Sequence, residues 1–378
     1  MMADNFDPFK ILAGKKKLLS EAWADFRKRR DGETESEKAG LTEAKQRYDL
    51  ALQEFKQASL DYFPLSAEDR ISSPPVARAA YSDRMAWLMA NMANMAYIRY
   101  EYGFEPDEAQ RLARQEAGIA QLEFCLQSGQ YSQKEDEYEK HSDTSLCFEL
   151  VKIFDSSQTG STDTQAFLAK SEAIAVLAFR GTEPDHLADI LTDLKAVLHS
   201  TRDGDVHLGF QEAYAEVREE IHAALPAIGS LPLYITGHSL GAALATVATQ
   251  DLDQEKTIRD RVAACYTFGS PRVGDGKYES KIKVPFYRLA HGTDIVTLVP
   301  AFFWKYVHVG DPRYLSPAEK GRLLYRGIPV GRRTWDAIVQ MLSALSKGQN
   351  PLSVWVTAHS MVHYIDKLKK VAIARNTF

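Results

Sequence analysis

Ser239 stands between two glycines in Gly237-His238-Ser239-Leu240-Gly241, where the apolar run LPLYIT meets the small-residue run LGAALATVATQDL. A serine hydroxyl is a poor nucleophile until a base takes its proton and a third group orients that base. A Gly-x-Ser-x-Gly pentapeptide between a strand and a helix is the sequence form of a nucleophile elbow. In that tight turn the hydroxyl is pushed out at the carboxyl end of a sheet. Glycine at 237 and 241 removes the Cβ atoms that would keep helix and strands apart. The chemistry these residues offer is acyl transfer through a covalent acyl-serine, with Ser239 as nucleophile; a helix-capping serine is the ordinary alternative.

An elbow serine finds its acid, and after it its histidine, further along the chain. Asp294, in VPFYRLAHGTDIVTLVP, lies just past the end of a strand and is the first candidate. Asp275, in the loop of FGSPRVGD, is its rival, and either aspartate can instead organise an Asx turn. For the base, SVWVTAHSMVHYIDKL offers His359, where an apolar segment gives way to an amphipathic helix, and His363, one helical turn later. His359 is preferred because a base carried on a loop can reach the elbow. His186, His199, His207, His291 and His308 read as surface or packed residues, and His238 as packed beside the elbow.

Acyl transfer also needs donors aimed at the developing oxyanion. The backbone N–H of Leu240, directly after the nucleophile, supplies one. AIAVLAFRGTEP supplies the other: the strand stops at Phe179, Gly181 allows a sharp turn, and Thr182 presents its N–H, with Arg180 bracing the loop. The next segment, PDHLADILTDLKAVLHS, spaces Leu187, Ile190, Leu191, Leu194 and Leu198 as an amphipathic helix. That helix is either an ordinary surface element or a lid over an acyl site.

These residues need a frame. CFELVKIF, TQAFLAK, AIAVLAF, LPLYITG, VAACYTFG and VPFYRLA read as strands, and GFQEAYAEVREEIHAAL and LGAALATVATQDL as helices. Their alternation predicts an open α/β sheet with helices on both faces. YSDRMAWLMANMANMAYIRYE is a helix whose Met85, Leu88, Met89, Met92, Met95 and Ala96 fall on one broad core-facing stripe. Residues 1–80 differ in texture. LLSEAWADFRKRR and LTEAKQRYDLALQEFKQASLDYF predict a charged helical hairpin around RRDGETESEKAG, and SSPPVARAA reads as a linker. The division expected is a helical N-terminal extension over 1–80 and an α/β domain over 81–378.

Composition narrows the classes. A net charge of −5 over 378 residues argues against a nucleic-acid binder or a polybasic membrane anchor. Cys125, Cys147 and Cys265 are scattered, form no zinc-type cluster and imply no disulfide framework. No apolar run approaches the ~18 residues of a spanning helix, so no transmembrane segment is expected. The first residues carry no apolar stretch after a basic one, which points to a cytoplasmic protein or one secreted without a recognisable signal peptide.

AFRGTE, VHLGFQEAY, TGHSLGAALA, FGSPRVGD, RLAHGTDIV and AHSMVHYIDKL occur in an order that resembles the class 3, fungal-type lipases of the α/β-hydrolase fold. The resemblance covers about residue 81 to the C-terminus. It implies Ser239, Asp294 and His359 as a triad, Thr182 and Leu240 as oxyanion donors, a lid within 183–198, and no cofactor. It implies a lipid ester substrate taken at a lipid–water interface, with triacylglycerol the first expectation and phospholipase A1 or short-chain esterase activity the alternatives. Acyl transfer to an acceptor other than water would use the same site, and a non-catalytic scaffold or membrane-surface protein is the remote reading. Ala358 stands where many members have an aspartate, and the N-terminal helical region lies outside the resemblance.

Overall fold

A computed structural model describes part of residues 17–29 and residues 40–62, 80–98, 108–127, 147–157, 162–181, 198–300, 305–318, 322–328, 330–346 and 357–374. The chain divides into two compact units, residues 1–72 with 98–150 and residues 73–97 with 151–378. The first helices along it are α1 (Leu41–Tyr62), α2 (Asp83–Met95) and α3 (Glu108–Gln127). α1 and α3 belong to the first unit. There Asp25 accepts from Arg29 Nε at 2.9 Å and from Arg47 at 2.6 Å, tying the first charged segment to α1. α3 buries Leu122, Cys125 and Leu126. Residues 30–39 and 63–79, which include most of the expected inter-helix loop and linker, lie outside the described residues.

The second unit is organised by a sheet. Its strands are β1 (Glu149–Asp155), β2 (Gln165–Lys170) and β3 (Ala175–Phe179), then β6 (Leu233–His238), β7 (Val262–Phe268), β8 (Phe286–His291), β9 (Asp311–Leu315) and β10 (Leu324–Arg326). They lie side by side in that order. The pairs from β3 through β9 are parallel, while β2–β3 and β9–β10 are antiparallel. A separate hairpin pairs β4 (Leu198–Thr201) with β5 (Gly204–His207). Leu198 therefore opens a strand, which corrects its place at the end of the expected amphipathic helix; the rest of that series lies outside the described residues. An extended hairpin partner at Val206 and His207 overrides the helical spacing.

Continuous apolar runs in β3, β6 and β7 mean that both sheet faces are covered, as parallel sheets require. Alternate positions show the two coverings. Leu177, Ile235 and Cys265 lie in register and pack with Ala243, Leu244, Val247, Ala248 and Leu252 of α5 (Leu240–Gln254), joined by Val217 and Ile221 of α4 (Leu208–Ala224). The opposite face meets α2. Thr236 Oγ1 donates to the Met89 carbonyl at 3.1 Å, and Ser82 N to Tyr266 Oη at 3.3 Å. α2 starts where Ser82 caps Met85 N, an interaction of about 1 kcal/mol. Met85, Leu88, Met89, Met92, Met95 and Ala96 are all buried, as the stripe predicts. Short α6 (Gly276–Lys281), α7 (Val330–Ser346) and α8 (Met361–Ala374) complete the described helices of this unit. The result is an open, mostly parallel sheet with helices on both faces, its strand ends converging where β6, β7 and β8 stop.

Candidate active site

β6 ends at His238 and α5 begins at Leu240, so Ser239 alone makes the turn, with φ 58° and ψ −127°. That backbone costs a non-glycine residue ~1–3 kcal/mol and persists only where the surroundings impose it. They do: Ser239 N donates to the Phe268 carbonyl and Ala242 N to the Ser239 carbonyl, both at 3.0 Å. A Cβ at Gly237 would lie 2.2 Å from Gly241 O, and one at Gly241 2.4 Å from Phe179 O. Both glycines are thus required by closeness of the backbones. Leu240 is the first residue of α5, and its N–H is one of the first-turn donors that have no intrahelical acceptor.

Asp294 is fully buried at the start of a 3-10 turn, Ile295–Leu298, that follows β8. His359 lies in the turn before α8 and is also buried. Its Nδ1 is 2.9 Å from each Asp294 carboxylate oxygen. A carboxylate only accepts, so Nδ1 carries the proton and Nε2 is the basic nitrogen. Nε2 is buried and has no hydrogen-bond partner among the described residues. The elbow is one residue away from this pair: Ser239 N is bonded to Phe268, and a Cβ on Gly269 would lie 2.9 Å from the His359 ring. The structure therefore pairs His359 with Asp294 and sets that pair beside the Ser239 turn, with Nε2 making no hydrogen bond to the Ser239 hydroxyl. It separates their rivals. Asp275 caps α6 by accepting from Tyr278 N at 2.8 Å, and His363 stacks on His291 with ring centroids 5.3 Å apart.

Burial alone raises the Asp294 pKa, but the His359 charge, the His359 hydrogen bond and a Tyr364 hydrogen bond together hold it below the ordinary value. Tyr364 Oη donates to Asp294 Oδ2 at 2.6 Å and accepts from His291 N at 3.0 Å, and Val296 N donates to Asp294 Oδ1 at 3.0 Å. Tyr364 was not singled out from sequence. Its one signal is the position five residues after the histidine, on the buried side of the final helix.

Two further histidines hold the His359 turn. His238 Nε2 lies 2.7 Å from the His359 carbonyl, and His291 Nδ1 3.0 Å from the Ala358 carbonyl. Burial pushes His238 well below its ordinary pKa and His291 down to about 4, so both rings are neutral at pH 7. Carbonyls only accept, which puts the proton of each ring on the nitrogen facing the turn. His238 Nδ1 then accepts from Tyr97 Oη at 2.7 Å. The packed role read for these two histidines is what the geometry gives.

On the other side of the site, Gly181 follows β3, and a Cβ there would come 3.1 Å from Ser239 Cβ. Thr182 and the lid segment to residue 197 lie outside the described residues. Arg180 donates to the side-chain oxygen of Gln165 on β2. Among the described residues no group of three or more acidic, histidine or cysteine side chains could hold a metal ion, and no helix is long and apolar enough to cross a membrane.

Residues 176–304 match the family described as Lipase (class 3). A lipase of Rhizomucor miehei is 32% identical over 180 residues, covering 44% of this chain and 49% of the relative. A secreted mono- and diacylglycerol lipase of Fusarium solani is 38% identical over 118 residues, covering 29% of this chain and 34% of the relative. The matched part thus spans half or less of these curated relatives. A crystal structure of a mutant form of MDLA from Penicillium cyclopium superposes with a TM-score of 0.51 at 21% identity, covering 75% of this chain and 96% of that one, a likeness of fold alone. Relatives named as secreted overturn the cytoplasmic expectation and are compatible with the export option. That expectation failed because the composition of the first residues reports on one kind of export signal, not on where the folded domain works.

Proposed function

From a chain that residues 176–304 place in the class 3 lipase family, with the α/β-hydrolase fold, we propose a serine carboxylic-ester hydrolase that acts on acylglycerol lipids. The observation that carries the reading is the buried His359–Asp294 pair, its Nε2 left bare, set one residue from a strained serine elbow. In this mechanism Ser239 Oγ attacks the ester carbonyl as His359 Nε2 takes its proton. The carbonyl oxygen becomes an oxyanion held by the Leu240 and Thr182 N–H groups, the second assigned from sequence. The C–O bond to the alcohol breaks as His359 returns the proton to the leaving oxygen. Water, deprotonated by the same nitrogen, then attacks the acyl-serine and releases the carboxylic acid. Asp294 keeps the proton on Nδ1 and stabilises the transient imidazolium. Each oxyanion donor contributes on the order of 10²–10³ in turnover.

The test is hydrolysis by the purified chain and its Ser239→Ala variant of soluble short-chain esters, emulsified triacylglycerol and phospholipid. Serine-dependent hydrolysis that is greatest on acylglycerol supports the reading. Phospholipid preference moves the substrate to the phospholipase A1 alternative, and activity confined to short soluble esters makes the protein an esterase. Equal activity of chain and variant removes the mechanism.

A further inference from the structure

α7 has two unlike faces. On its inner row Arg333 Nη2 donates to the Asp294 carbonyl at 3.2 Å and to Thr297 Oγ1 at 2.7 Å. Asp336 accepts from Tyr314 Oη at 2.7 Å, and Gln340 accepts from Thr293 Oγ1 at 2.5 Å. These three residues, spaced three and four apart, fasten the helix to β9 and to the loop that carries Asp294. The outer row is apolar and wet. Trp335 is 60% exposed, Leu342 57% and Leu345 56%, with Ile338, Val339 and Met341 exposed between them. Of the eleven exposed large apolar side chains among the described residues, six lie on this helix.

Single exposed leucines are ordinary, but a row of them along one helix marks a binding surface. Its dimensions and charge indicate what it binds. Seventeen residues of helix give a stripe ~25 Å long and ~10 Å wide, about 250 Å². Its six exposed apolar residues are well short of the ~20–30 residues that each partner gives to a stable protein interface. The only carboxylate of the helix, Asp336, is buried and bonded, so α7 presents no acid outward. An apolar face with tryptophan and leucine that exposes no carboxylate suits the plane of a lipid surface, including one made anionic by released fatty acid. Leu298, 48% exposed, lies in the turn that Arg333 holds.

We propose that the outer face of α7 docks on a lipid surface and, through Arg333 and Gln340, sets the Asp294 loop at that surface. This helix is separate from the 183–198 segment in which the sequence places a lid. The inference deepens the reading of the chain as a lipid-ester hydrolase and rests on it, but the two fail in different assays.

The full chain and a Trp335→Ser/Leu342→Ser double variant are sedimented with sucrose-loaded vesicles of phosphatidylcholine containing oleate. Both proteins are also assayed on a soluble short-chain ester and on emulsified triacylglycerol, with light scattering to give their mass. The expected result is vesicle binding by the chain that weakens at least tenfold in the variant, with emulsion activity falling in parallel and soluble-ester activity within twofold. Vesicle binding that is absent from the chain, or equal in the two proteins, overturns the proposal. A dimer in the chain that becomes a monomer in the variant also overturns it, by giving the face to a second copy. Inactivity of both proteins on every ester overturns the hydrolase reading, while sedimentation still decides the docking face.

Discussion

Gly269→Ala should damage catalysis more than folding, because of where the new methyl would go. Gly269 follows β7 with φ 57°. An alanine Cβ there would lie 2.7 Å from Asp294 Oδ2 and 2.9 Å from His359 Nδ1 and Cε1. Ordinary contacts between such atoms begin near ~3.5 Å, so the Asp294–His359 pair must move by ~0.5–1 Å. A misplacement of about 1 Å in a catalytic group costs on the order of 10² in rate. Left-handed backbone at a residue with a Cβ costs ~1–2 kcal/mol, a few degrees in Tm for a domain of this size. The expected variant is folded by circular dichroism, with Tm down by several degrees, kcat on a soluble ester down about 100-fold and KM changed by less than threefold. Tm lowered as expected with kcat within threefold of the parent would show that Asp294 and His359 are not the working pair at this position.

Tyr364→Phe strands two buried groups, the His291 N–H and one lone pair of Asp294, at a cost of ~2–4 kcal/mol in stability at neutral pH. It also has a pH signature. A carboxylate whose folded pKa is depressed stabilises the fold above its unfolded value, and that stabilisation is lost as pH falls through the folded value. Removing the Tyr364 bond raises the folded pKa of Asp294, so the variant should lose its acid stability at a higher pH than the parent; thermal melts taken down to about pH 3 read this directly. Arg288→Met should leave stability unchanged or raise it by ~1–4 kcal/mol. Arg288 is buried, its Nε and one Nη have no partner among the described residues, and burial with Arg333 and Arg272 nearby lowers its pKa to about 10. A Tm that falls by more than 5 °C (~1–2 kcal/mol at this size) would reveal a partner this charge depends on.

Much of this was legible in the sequence because it is local. The two glycines around Ser239, the apolar run before them and the small residues after them lie within twenty positions, and turn sterics act at that range. The helix of α2 was legible for the same reason, but its burial on nearly every side was not: Ala86, Trp87, Ala90, Asn91, Ala93 and Asn94 are buried along with the methionines. In sequence, Asp294 stands out from Asp275 by its place just past a strand end and His359 from His363 by its place on a loop, whereas what separates each pair in the fold is tertiary. Asp275 spends its carboxylate on the Tyr278 N–H, and His363 faces His291 rather than Asp294. Tyr364, and the hold of His238 and His291 on the 358–359 carbonyls, depend on contacts between residues 67 to 121 positions apart, which no short pattern encodes. Leu198 failed for a related reason: its apolar spacing fits a helix, but the β5 partner decides.

The central claim is that Ser239 is the nucleophile, and intact-mass spectrometry after treatment with a p-nitrophenyl alkylphosphonate tests it most directly. The reagent transfers its phosphonyl group to an activated serine and releases nitrophenol. One adduct per chain is expected, mapped to Ser239, formed in step with loss of ester hydrolysis and absent from Ser239→Ala. An adduct on another residue, or hydrolysis that persists in Ser239→Ala, would contradict it.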